Sequence, residues 1–215
     1  MKIKVLLADD HAVVRDGIKS IVEKKADDIL VTGEARNGKE VLMLARQCPA
    51  DVYVLDIAMP VLNGMETAER LLKMDKRNRI IFLSMYDTRA FVEQALKLGV
   101  KSYLLKESAT EEIITAIRET HANRRYLSPR ISKYLAQGHL FPHSVTNQGL
   151  VRLTPREREV LQLISEGNSN KDIARAFGRS INTIHVHRNS IMQKLDMHNQ
   201  SELVRYAFRE GITQL

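Results

Sequence analysis

Residues 52–60, Val-Tyr-Val-Leu-Asp-Ile-Ala-Met-Pro, constrain this chain most. Branched and aromatic side chains run straight into one aspartate, Asp56, and Pro60 then blocks continued pairing. A short run with no polar face reads as a strand buried on both sides of a parallel sheet. In open α/β sheets ligands bind outside the carboxyl ends of the strands, and Asp56 stands at such an end.

The neighbouring sequence repeats the unit. Residues 3–8 read as a strand ending in Asp9-Asp10, and 12–25 as a helix with Val13, Val14, Ile18, Ile21 and Val22 at helical spacing. Strands at 29–33, 51–56, 79–84 and 102–105 alternate with helices at 39–47, 64–74 and 88–98, the last closed by Gly99. Ser108-Ala109-Thr110-Glu111 has the capping-box pattern and opens a fifth helix, to about residue 121. Strand and helix in strict alternation predict a doubly wound, five-stranded parallel sheet with helices on both faces.

Residues 123–149 differ in character. They hold a short amphipathic piece, 128–136, then Gly138, Pro142 and a polar run to Gly149, which reads as a linker with a short helix. The expected division is 1–122, a linker at 123–149 and a second domain at 150–215. That second domain is helical. Thr154-Pro155-Arg156-Glu157 combines a capping box with proline at the first helical position. Short helices follow at 170–177, stopped by Gly178, at 181–195, capped by Ser180, and from Asn199 to about 210, stopped by Gly211. Short helices joined by tight turns match a helix-turn-helix.

Charge separates the two parts. The net charge is +7, yet residues 1–123 hold 19 basic and 19 acidic side chains, so the whole excess lies in 124–215. A basic domain joined to a neutral one points to a polyanionic partner for the second alone. No apolar run approaches the roughly 18–20 residues of a membrane span. The single cysteine, Cys48, excludes an internal disulfide and a cysteine-built metal site. With no signal-peptide pattern at the start, the expected compartment is the cytoplasm.

If the strands ending in Asp9-Asp10 and Asp56 are neighbours, three carboxylates share one pocket. Like charges that close repel unless a cation sits among them, and an all-oxygen donor set suits Mg²⁺. Ser84 ends the fourth strand with a hydroxyl, and Lys106 follows the fifth. A carboxylate, a hard cation and a lysine together suit phosphoryl transfer onto the carboxylate.

These positions resemble the receiver domain of two-component response regulators over residues 3 to about 122. The matching residues are Asp9-Asp10, Asp56, Met59-Pro60 with Gly64 beyond, Ser84, Tyr103 and Lys106. The resemblance implies that Asp56 accepts a phosphoryl group from a sensor histidine kinase. It implies Mg²⁺ on Asp10, Asp56 and the Ala58 backbone carbonyl, with Asp9 acting through water. Ser84 would bond the phosphoryl group, Lys106 would pair with it, and Tyr103 would be the aromatic switch.

The tail resembles the LuxR-type DNA-binding domain, which together with the receiver gives a regulator of the NarL/FixJ class. The matching stretches are Leu153 to Leu161, Gly167 to Ala174, and Thr183 to Arg188 with Ile191 to Leu195. Ile184, Ile191 and Leu195 pack the third tail helix inward, so Asn182, His185, Val186, Asn189 and Gln193 share an outward face. Those side chains supply what reading a major groove requires. Lys171, Thr183, Arg188 and Lys194 are placed for phosphate contacts, which position without specifying sequence. His187 fits the pattern as a structural residue. Two residues depart from it: His185 stands where the family commonly has lysine, and Asp196 where it commonly has glycine. The family also implies a homodimer on paired half-sites of double-stranded promoter DNA, with the fourth tail helix as the dimer contact.

Two other readings use the same residues. One is an aspartyl-phosphate hydrolase of the haloacid-dehalogenase kind, which needs a second acid two residues after the nucleophile; Ala58 stands there. The other is a tail that binds protein, against which the basic excess argues. The expected function is therefore a non-enzymatic transcription regulator.

Overall fold

The computed structural model describes residues 2–85, 89–136, 153–210 and 212–213. The chain forms two compact units, Met1–His139 and Leu140–Leu215. In the first, five strands, β1 (Ile3–Ala8), β2 (Ile29–Ala35), β3 (Val52–Asp56), β4 (Ile80–Ser84) and β5 (Ser102–Leu105), pair in parallel in the order β2-β1-β3-β4-β5. The expected sheet is thus formed, with β1 and β3 side by side. Five helices connect and cover it: α1 (Ala12–Lys25), α2 (Gly38–Gln47), α3 (Gly64–Met74), α4 (Arg89–Lys97) and α5 (Ala109–His121).

Alternating strand residues feed two cores. Leu6, Tyr53, Leu55 and Phe82 pack with Val41 of α2, Ala68 and Leu71 of α3 and Val92 of α4 on one face. Val5, Leu7, Val52, Val54, Ile81 and Leu104 pack with Ile18 and Val22 of α1 and Ile113 and Ile117 of α5 on the other. Val52 to Ile57 are all buried, which is why the run carries no polar alternation.

Two local outcomes differ from the sequence reading. A 3₁₀ turn, Lys106–Ser108, runs directly from β5 into α5. Ser108 therefore has φ −109° and ψ 3°, not the extended backbone an N-cap needs, and makes no side-chain cap bond. Its hydroxyl instead donates to the Leu105 carbonyl at 3.3 Å. The second outcome concerns the start of the expected linker. The Tyr103 N–H donates to the Tyr126 carbonyl at 2.9 Å and the Ser128 N–H to the Tyr103 carbonyl at 3.0 Å. Residues 126–128 thus line the free edge of β5, and Ile131 of the next helix, α6 (Pro129–Ala136), is buried in the α2–α4 core. The expected linker stretch 137–149, the helix start at Thr88 and the stop at Gly211 lie outside the described residues.

The second unit is built of α7 (Pro155–Ser165), α8 (Asn170–Phe177), α9 (Ile181–Leu195) and α10 (Gln200–Arg209). Its core joins Val160, Leu161 and Ile164 to Ile173, Ile184, Ile191, Leu203 and Ala207. The capping box at Thr154 and Glu157 is formed with both of its bonds. Ser169 and Ser180 cap α8 and α9 through their hydroxyls, and Gly178 closes α8 in the left-handed conformation, φ +59°. No described helix is long and apolar enough to cross a membrane.

Candidate phosphoacceptor site and recognition helix

The carboxyl ends of β1 and β3 bring three acids together. Asp9 and Asp56 are each 1% exposed, while Asp10 is exposed. With His11 they can offer ligand atoms that all lie within 4.8 Å of one another. The sequence reading did not single out His11; its ring Nδ1 lies 2.9 Å from Asp10 Oδ1 and 3.2 Å from Asp9 Oδ1. Its adjacency to the acid pair was the available signal.

Lys106 closes the pocket from β5. Its Nζ lies 2.6 Å from Asp9 Oδ2 and 2.8 Å from Asp56 Oδ2. Burial pushes the Asp56 carboxyl up to about 6; the Lys106 ammonium opposes this and the Asp9 carboxylate adds to it. Burial pulls the Lys106 ammonium down, but the two carboxylates outweigh it and hold its pKa above the usual value. The lysine is therefore a fixed positive charge in a site with little water to screen it.

The loop after β3 explains two sequence features. The Ala58 N–H donates to Asp56 Oδ1 at 3.2 Å. Gly64 sits directly behind Asp56: a Cβ there would lie 2.1 Å from the Asp56 carbonyl oxygen, so only glycine allows the approach. Ser84 is buried at the end of β4, beside Leu105 in register. Tyr103 is 1% exposed, in the middle of β5. The oxygen-rich donor set fits a hard divalent cation.

In the second unit α9 turns one face to solvent. Ile184 and Ile191 are fully buried, whereas Asn182, His185, Asn189 and Gln193 are exposed and Val186 is 67% exposed. Lys171 is exposed on α8. Thr183 is half-buried with its hydroxyl 2.9 Å from the Ser180 hydroxyl. The Arg188 guanidinium donates to Gln200 Oε1 at 3.2 Å. Lys194 is engaged inward, donating to both carboxylate oxygens of Glu157 at 2.7 and 2.8 Å. Glu157 also accepts from the Ser190 hydroxyl at 2.7 Å and the Thr154 N–H at 2.7 Å. One buried carboxylate thus caps α7 and anchors α9. The capping box revealed the first role; nothing in the sequence marked the second, because its partners lie 33 and 37 residues away.

An acid pocket closed by a lysine on a five-stranded parallel sheet, in a chain that also carries a helix-turn-helix, is the arrangement of a signal-receiving domain with a nucleic-acid-binding type of tail. Comparison with known proteins agrees. The response regulator receiver domain family matches residues 5–118, and the family of bacterial regulatory proteins of the luxR type matches 151–207. The nitrate/nitrite response regulator protein NarL of Escherichia coli is 34% identical over 97% of this chain and 96% of its own length. The oxygen regulatory protein NreC of Staphylococcus carnosus is 32% identical, covering 97% of this chain and 98% of its own. Among solved structures, the RcsB response regulator of Salmonella typhimurium aligns over 99% of both chains with a TM-score of 0.64 and 26% identity. An RcsB–DNA complex aligns over 96% of this chain and 98% of that chain with a TM-score of 0.60 at 26% identity. The chain belongs to the two-component response regulators of the NarL/FixJ class, a class of non-enzymatic transcription factors.

Proposed function

We propose that Asp56 is the phosphoacceptor of this regulator, that a sensor histidine kinase supplies the phosphoryl group, and that the result is altered binding of duplex promoter DNA through α9. The observation that carries the reading is the Lys106 ammonium held between Asp9 and Asp56. Asp9, Asp10 and Asp56, with the Ala58 backbone carbonyl, would hold the cation, for which Mg²⁺ is the natural occupant. When bound it offsets the charge of the carboxylates and of the incoming phosphoryl oxygens.

The chain's own residues do the rest. An Asp56 oxygen attacks phosphorus, the P–N bond to the kinase histidine breaks, and the imidazole leaves with the bonding pair and takes up a proton. An acyl phosphate remains on Asp56. Lys106, already charged, pairs with a phosphoryl oxygen in place of the carboxylate oxygen it now holds. Ser84 donates its hydroxyl to another, and Tyr103 on the neighbouring strand follows, biasing the receiver between two states.

In the tail, Asn182, His185, Val186, Asn189 and Gln193 face the major groove, and Lys171, Thr183, Arg188 and Lys194 face phosphates. The Lys194 contact is secondary, because that ammonium is committed to Glu157. A dimer on paired half-sites matches a two-fold protein, and α10 is its contact. The compartment is the cytoplasm, and residues 137–149 join the domains.

The test is labelling with acetyl phosphate in the presence of Mg²⁺. Wild type takes up one phosphoryl group, lost on treatment with hydroxylamine or base, and Asp56→Asn takes up none. Acid-stable labelling of Asp56→Asn would remove Asp56 from the role.

A further inference from the structure

We propose that Arg15 is a positioning residue that sets the cation affinity of the acid pocket. Its guanidinium clamps the Asp9 carbonyl and so fixes the turn that carries Asp9, Asp10 and His11. The inference rests on the reading of that pocket as a metal site and adds a residue outside it.

Arg15 lies in the first turns of α1 and is only 7% exposed. A buried guanidinium is costly to desolvate, so it persists where a specific acceptor needs it. Its ion pair with Glu34 is a long one: Glu34 Oε2 is 3.7 Å from Arg15 Nε, while the other oxygen, Oε1, is held at 2.6 Å by Lys19. Arg15 Nε is buried and makes no hydrogen bond. The short contact is made elsewhere: Arg15 Nη1 donates to the Asp9 carbonyl oxygen at 2.6 Å. The long side chain therefore reaches back across the start of its own helix to the strand end.

That carbonyl matters because of where the ladder stops. The Asp9 N–H still pairs, with the Ala35 carbonyl at 3.2 Å, but β1 itself ends at Ala8. With its N–H held by β2 and its carbonyl held by Arg15, the Asp9 backbone is fixed on both sides of its Cα. The turn has a second restraint, since Asp9 Oδ1 accepts from the His11 N–H at 2.9 Å, while the His11 side chain adds no cap bond to α1. Asp10 stands between these residues, exposed, with its carboxylate Oδ1 2.9 Å from the His11 ring Nδ1. Its direction relative to Asp9 and Asp56 depends on the turn, and Arg15 supplies the bond that holds the Asp9 carbonyl in that turn. Groups that orient metal ligands from outside commonly change metal affinity by about 10–100-fold when removed.

The experiment uses the full chain and Mn²⁺ as the probe, with free Mn²⁺ followed by electron paramagnetic resonance. Wild type, Arg15→Met and Arg15→Lys are compared, and melting without metal verifies that each is folded. Arg15→Met, which keeps the length and removes the donor, is expected to bind Mn²⁺ about tenfold more weakly. The metal concentration for half-maximal phosphorylation by acetyl phosphate rises in parallel, while the rate at saturating metal stays within about twofold. Arg15→Lys, which can still donate to the carbonyl, recovers most of the affinity. A merely structural arginine would lower stability without this split. Should Arg15→Met not fold, Arg15→Gln is measured by the same criteria. Equal Mn²⁺ affinity in wild type and variant, or a rate loss that saturating metal does not repair, overturns the clamp alone. A wild type that binds no Mn²⁺ overturns the metal reading and the clamp with it.

Discussion

Lys106 Nζ stands 2.8 Å from Asp56 Oδ2, with both groups almost fully withdrawn from water. Even so, burial outweighs the pairing, and the Asp56 carboxyl is pushed up to about 6. The pocket is thus short of positive charge before any cation arrives, and this has a sign that can be measured. Asp56 carries a folded-state pKa above its ordinary 3.8, so the folded state holds the extra proton between about pH 4 and 6. Metal-free protein therefore loses stability as pH rises through that window, by on the order of 2–3 kcal/mol. Asp56→Asn should melt higher than wild type at pH 7.5 without metal. Added Mg²⁺ should raise wild type and leave Asp56→Asn nearly unmoved. Thermal melts of the two proteins, with and without Mg²⁺, check this; a lower melting point for metal-free Asp56→Asn would contradict it.

Glu157 behaves in the opposite way. Burial raises it, but the bonds from Lys194, the Thr154 backbone and Ser190 prevail and hold it down at about 2. Its contribution is fully present above about pH 4.5 and is lost as pH falls toward about 2, and its size is on the order of 2–3 kcal/mol. Glu157→Gln should destabilise the second unit by that amount at pH 7. The gap between variant and wild type should close as pH is lowered through the window. A gap that does not change with pH would show that the pairing with Lys194 contributes little.

Asp196 ends α9 at φ +51° and ψ 48°, the left-handed region that costs an L-residue free energy. Aspartate tolerates it better than most side chains, which is why the turn survives where the family commonly has glycine. Asp196→Gly should stabilise the second unit by about 0.5–1 kcal/mol, less what the unfolded chain gains in freedom. A denaturant titration that shows a loss of stability would mean that the aspartate makes a compensating contact.

On α9 the contacts separate by salt. Log affinity for duplex DNA should fall linearly with log salt, with a slope of about −0.9 per phosphate contact. Lys171→Ala should weaken all sequences alike and flatten the slope by about 0.9. His185→Ala or Asn189→Ala should change sequence preference and leave the slope as it is. Binding that ignores salt, or absence of binding to any duplex, would favour a protein-binding tail.

Much of the architecture was legible because local patterns and burial agreed. Asp56 could be found because a fully buried parallel strand must be apolar until its end, so the first acid marks the rim of the sheet. The Thr154–Glu157 capping box was legible for the same reason: both of its bonds are local. The Ser108 box was misread, since the tight 3₁₀ turn from β5 removes the extended backbone that a cap requires. Contacts distant in sequence left no trace. The Glu157 bond to Lys194 and the pairing of residues 126–128 along β5 depend on how elements meet, which no periodicity encodes, and the bond of Arg15 to the Asp9 carbonyl, though only six residues apart, depends on how α1 leaves β1.

The central claim is that phosphorylation of Asp56 sets DNA binding. The most direct measurement is the affinity of the full chain for duplex DNA selected from genomic fragments, at fixed salt and over a range of protein concentrations. Wild type and Asp56→Asn are compared, each with and without acetyl phosphate and Mg²⁺. The account predicts that acetyl phosphate increases the affinity of wild type by about tenfold or more, a coupling of typical allosteric size, and leaves Asp56→Asn unchanged. Equal affinity of phosphorylated and unphosphorylated wild type, or an equal response of Asp56→Asn, would contradict it.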